Sequence, residues 1–129
     1  MKTLKNATVL VVDDEDELRE IFVDEFRAIG AKVFEARQGV EALEILRREK
    51  IDVVLSDVRM PGGDGISLVR NIDKEIRPKP ILFLCSGFSE HSYDEVRALG
   101  VIDVFGKPFE WNKIVSAIEA ALKSSSRAS

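Results

Sequence analysis

The chain has 129 residues, 45% apolar and 33% charged, a balance that fits one globular domain and excludes a disordered tail or a fibre. Nineteen Lys and Arg against 23 acids give a net charge of −4, which excludes a general nucleic-acid binder with a basic face for phosphates. The excess is local: residues 13–25 hold eight acids and a single Arg, and the rest of the chain is net basic.

At the N-terminus, Asn6-Ala7-Thr8 matches a glycosylation sequon, but no long apolar segment with a small-residue cleavage site precedes it. The sequon is therefore read as a chance match and the protein as cytoplasmic. No apolar stretch reaches the ~18 residues of a membrane helix. Thr8–Val12 is predicted as the first strand, and Asp13-Asp14 follow it directly. Leu18, Ile21, Phe22, Phe26 and Ile29 form a helical stripe, closed by Gly30 as a C-terminal cap. Lys32–Ala36 is the second strand, and Val40, Leu43 and Leu46 mark the second helix. The third strand, Ile51–Ser56, leads into Asp57, and Ile66, Leu68, Val69 and Ile72 mark a third helix.

Ile81–Cys85 is the fourth strand, ending at Ser86-Gly87. Cys85, the one cysteine, lies in its apolar run and reads as a small buried hydrophobe; alone it excludes an internal disulfide framework and a Cys-based zinc site. Val96 and Leu99 end a fourth helix before Gly100. The fifth strand, Ile102–Phe105, precedes Lys107-Pro108. Trp111, Ile114, Val115, Ile118, Ala121 and Leu122 form the last stripe, which makes Trp111 a packing residue. Residues 1–123 are expected to form the domain, with 124–129 a flexible Ser-rich tail or the start of a linker.

Five apolar, β-branched strands alternating with five helices predict a parallel α/β sheet with helices on both faces. The chain is too short for an eight-stranded barrel, leaving an open doubly wound sheet, whose ligands bind at the carboxyl ends of the strands. There the chain places Asp13, Asp14, Asp57, Ser86 and Lys107. Three converging carboxylates repel one another, and a hard divalent cation such as Mg²⁺ resolves the conflict. With Mg²⁺ and Lys107 the formal charges cancel, leaving room for a phosphoryl group. One carboxylate could serve as nucleophile while the other two hold the metal. Each residue also has an ordinary reading: Asp14 as a helix N-cap, Asp16 and Glu17 as dipole partners, Asp57 as a turn opener, Lys107 as a surface lysine. For all to hold at once, at the ends of different strands, is the weaker account.

The stretches VLVVDDE, VVLSDVRMPGGDG, ILFLCSG and GKPF, in this order, resemble the receiver domain of two-component response regulators, the CheY-like family, over about residues 6–123. The resemblance implies a flavodoxin-like fold with strand order 2-1-3-4-5 and Asp57 as phosphoacceptor. It assigns Mg²⁺ to Asp13, Asp14, Asp57 and the backbone carbonyl of Arg59. It further implies that Ser86 bonds a phosphoryl oxygen, that Lys107 ion-pairs with the phosphoryl group, and that the Lys107–Pro108 peptide is cis. Arg59 and Phe88 would border the site and tune phosphoryl lifetime. A histidine kinase or phosphotransfer protein would be the donor. The downstream partner would be a protein contacting the face of helix four, strand five and helix five, with no direct nucleic-acid or membrane contact. One position departs from the family: Val104 stands where an aromatic switch residue is usual, and Phe105, one place on, points to the opposite face of a strand.

Two other readings compete. A Mg²⁺-dependent phosphohydrolase with an Asp nucleophile would want a second acid two residues on, where Arg59 stands. A receiver-like module acting without phosphorylation would have little use for the full set of Asp13, Asp14, Asp57, Ser86 and Lys107.

Overall fold

The computed structural model describes residues 3–58, 65–86, 93–106 and 108–128, with only the backbone of Ser86, Tyr93, Glu95 and residues 125–128. Strands β1 (Thr8–Val12), β2 (Lys32–Ala36), β3 (Val53–Asp57), β4 (Ile81–Ser86) and β5 (Val101–Gly106) alternate with helices α1 (Asp16–Ile29), α2 (Gly39–Arg48), α3 (Gly65–Glu75), α4 (Tyr93–Ala98) and α5 (Trp111–Ala128). All strands run parallel, in the order β2-β1-β3-β4-β5. The expected doubly wound fold is the observed one.

Strand residues alternate between two cores because successive side chains leave opposite faces of a sheet. Val9, Val11, Val53, Leu55, Phe83 and Cys85 pack with α1 and α5; Leu10, Val12, Val54, Leu82 and Leu84 pack with α2, α3 and α4. Both faces are covered, which is why the central strands are apolar throughout. Trp111 is a packing residue as expected, its ring 4.9 Å from that of Phe26 and 6.1 Å from that of Phe22. Gly30 (φ 110°) and Gly100 (φ 99°) stop α1 and α4 in the left-handed region that other residues avoid.

Several expectations shift. Ile21 and Val40, assigned to inward stripes, are exposed, whereas Arg19 is buried on α1. An apolar count by position cannot anticipate a buried guanidinium, and Arg19 takes the inward place by satisfying its donors. β5 begins at Val101, and a register irregularity between Leu82 and Phe83 leaves Ile102 exposed on this edge strand. β3 begins at Val53, not Ile51. The backbone of α5 continues through Ala128, into the Ser-rich end. Val104 and Phe105 lie on opposite faces, as expected: Val104 borders the α2–α4 core, and Phe105 stacks on Phe83 at 5.4 Å in the other.

Candidate functional site

Strand order reverses between β1 and β3, and their pairing puts Val12 beside Ser56. Asp13 therefore leaves β1 beside Asp57, the last residue of β3. One carboxylate oxygen from each of Asp13, Asp14 and Asp57 lies within 4.8 Å of the other two. Asp13 is buried, Asp57 half-buried and Asp14 exposed, so the trio grades from core to solvent.

The backbone explains how Asp13 reaches its position. Its N–H donates to the Ala36 carbonyl of β2 at 3.0 Å. Its Oδ1 accepts the Glu15 N–H at 2.8 Å, and its carbonyl accepts from Arg19 Nη1 at 2.8 Å. Glu15, not Asp14, is the N-cap residue of α1, so the N-cap reading of Asp14 does not hold. Asp16 and Glu17 do occupy the first turn of α1, where the helix dipole favours acids.

Burial raises the Asp13 carboxyl from 3.8 to about 6; the Glu15 N–H opposes the rise, and the charges of Asp57, Asp14 and Glu15 add to it. A cluster in this condition takes up a proton or a cation. Its donors, oxygens only and anionic, are those a hard divalent ion such as Mg²⁺ prefers, so the residues present fit that ion.

Asp13, Asp14 and Asp57 are thus brought together as expected from the sequence. The backbone of Ser86 ends β4 and pairs with Gly106 of β5, at the same edge. Arg59, Gly87, Phe88, Lys107 and the Lys107–Pro108 peptide lie outside the described residues.

Two residues of the site were not singled out from sequence. Gly65 opens α3, and its N–H donates to the Val58 carbonyl at 2.8 Å. A Cβ there would overlap the Asp57 carbonyl oxygen, so only glycine lets α3 start this close to β3. The other is Arg19, whose one sequence signal was being the lone base among eight acids.

A doubly wound sheet with three carboxylates gathered at its switch point defines an α/β domain with an acidic candidate cation site. Residues 9–119 match the response regulator receiver domain, and the chain belongs to that family. It is a receiver domain of two-component systems. It is 32% identical to sporulation initiation phosphotransferase F of Bacillus subtilis over 123 residues, covering 92% of this chain and 96% of that protein. It is 37% identical to the sensor kinase CckA of Brucella abortus over 123 residues, which are 92% of this chain and 13% of the kinase. Among solved structures, a response regulator receiver protein from Pseudomonas putida is similar with a TM-score of 0.83 and 29% identity, over 88% of this chain and 95% of that one. The response regulator TrrA of Thermotoga maritima, in complex with Mg(2+)-BeF, gives 0.79 and 25%, over 89% and 98%. No described helix is long and apolar enough to cross a membrane.

Proposed function

We propose that Asp57 accepts a phosphoryl group from the phosphohistidine of a histidine kinase or phosphotransfer protein. A carboxylate oxygen of Asp57 attacks phosphorus, the phosphorus–nitrogen bond breaks, and an acyl phosphate forms as imidazole leaves. Asp13, Asp14, Asp57 and the carbonyl of Arg59 would hold Mg²⁺. When bound, that ion offsets the charge of the carboxylates and of the incoming phosphoryl oxygens. Ser86 would donate its hydroxyl to one phosphoryl oxygen, and Lys107 would pair with the group as a point charge. The chain supports its own phosphorylation and dephosphorylation and turns over no separate substrate. We place it in the cytoplasm, with residues 1–123 as the working unit.

The observation that carries this reading is the carboxylate trio within 4.8 Å at the point where strand order reverses. The phosphotransferase named among its relatives and the TrrA complex with Mg(2+)-BeF support it. The output is a change of protein contacts on the face of α4, β5 and α5, where Ile102 is already exposed. With Val104 on β5 and Phe105 stacked on buried Phe83, the signal would travel through Ser86 and the segment after it rather than through an aromatic rotamer.

Incubation with Mg²⁺ and acetyl phosphate should give an acid-stable, base-labile adduct that Asp57→Asn lacks. Equal labelling of wild type and Asp57→Asn, or no labelling of either, would overturn the proposal. Steady phosphate release from unrelated monoesters would favour a phosphohydrolase instead.

A further inference from the structure

The acidic segment that gives the chain its negative charge encloses one cation, Arg19, and that side chain is 89% buried. A guanidinium is costly to remove from water unless its donors are met by acceptors of matching geometry. Arg19 meets this condition with three nitrogens on three partners. Nε donates to Glu35 Oε1 of β2 at 2.9 Å, Nη2 to Asp16 Oδ1 at 2.7 Å, and Nη1 to the Asp13 carbonyl at 2.8 Å.

The third contact bears on the site. The Asp13 carbonyl belongs to the peptide plane joining Asp13 to Asp14, so holding it fixes where the Asp14 Cα stands. Asp13 is tied further by its N–H to Ala36 and by its Oδ1 to Glu15. Asp14 is exposed, lies outside both β1 and α1, and takes its place largely from that peptide plane. We infer that Arg19 is a positioning residue: anchored on Glu35 and Asp16, it clamps the Asp13–Asp14 peptide and holds the Asp14 carboxylate in the cation cluster. The inference rests on the cluster being a cation site, as proposed above.

Positioning and simple electrostatics predict opposite signs. Arg19 brings a positive charge near the cluster, so if charge alone mattered, removing it would tighten cation binding. If Arg19 acts by geometry, its loss weakens binding although a repelling charge has gone. Lysine at this position keeps the charge but is a single point donor and cannot hold three acceptors in a planar fork.

The test is titration of the full chain with Mg²⁺ alone by calorimetry, at a temperature where circular dichroism shows each variant folded. Arg19→Met and Arg19→Lys are expected to weaken Mg²⁺ binding by about tenfold or more, the usual size for residues that orient metal ligands. Glu35→Gln, which loosens the anchor without touching the cluster, should weaken it less and in the same direction; it serves if neither Arg19 variant folds. Folded Arg19 variants, or Glu35→Gln standing alone, that bind Mg²⁺ as tightly as wild type or more tightly would overturn the inference and leave the site reading intact. Wild type that binds no Mg²⁺ would overturn the site reading, and the inference with it.

Discussion

Asp13 is a buried carboxylate among other carboxylates, and Asp13→Asn isolates what that costs. Its carboxyl rises from 3.8 to about 6, chiefly through burial. Each pKa unit corresponds to about 1.4 kcal/mol, so keeping Asp13 ionised in the folded, metal-free chain costs about 3 kcal/mol relative to the unfolded chain. Asp13 is 2% exposed but stands beside exposed Asp14 at the mouth of the acidic edge, so solvent screening makes this figure an upper bound. Asparagine keeps an Oδ1 to accept the Glu15 N–H and removes the charge. The variant should therefore be more stable than wild type in EDTA at about pH 8, by up to about 3 kcal/mol, or a midpoint rise of about 10 °C. The folded-state value lies above the unfolded one, so between them the native wild type binds more protons and gains stability on acidification. The variant's advantage should thus be absent below about pH 4, grow as pH rises to about 6, and hold above that. Urea unfolding across this range, with EDTA and then with Mg²⁺, measures both effects; Mg²⁺ should stabilise wild type and not the variant. An Asn variant no more stable than wild type at about pH 8 in EDTA, or an advantage independent of pH, would refute the electrostatic account.

Gly65→Ala should destabilise the chain by about 1–3 kcal/mol, because its Cβ meets the Asp57 carbonyl and the backbone must move. The same variant should label more slowly with acetyl phosphate, since the strained carbonyl belongs to Asp57, the proposed phosphoacceptor; unchanged stability in urea would refute the overlap. Saturating Mg²⁺ should change Trp111 fluorescence only slightly, because the indole packs on Phe22 and Phe26 between α1 and α5 and not among the carboxylates. A large direct quench would refute that placement.

What could be read from the chain alone was whatever a short window encodes. β-branched runs that break abruptly at Asp13, Asp57 and Ser86 announce strand ends, and a parallel sheet in register then makes Asp13 and Asp57 neighbours without further information. Gly30 and Gly100 mark helix ends for an equally local reason: their left-handed backbone. The unread features are tertiary. The stripe rule ranked Ile21 inward and gave Arg19 no place, since it weighs hydrophobicity and cannot see that Glu35, from a different strand, completes a set of acceptors for a guanidinium. Val40 failed by the same rule, one residue into α2. Gly65 closes the stretch VVLSDVRMPGGDG, yet its role was not legible there, because its need for a missing side chain comes from the Asp57 carbonyl eight residues earlier. The Ser-rich end was judged by composition, yet Ala120-Ala121-Leu122-Lys123 are strong helix formers and no Gly or Pro follows to stop them, so α5 runs on. In this chain the groups that would meet the phosphoryl and the cation stand at strand ends and were legible, whereas Arg19 and Gly65, which set their positions, depend on contacts that exist only after the sheet has formed.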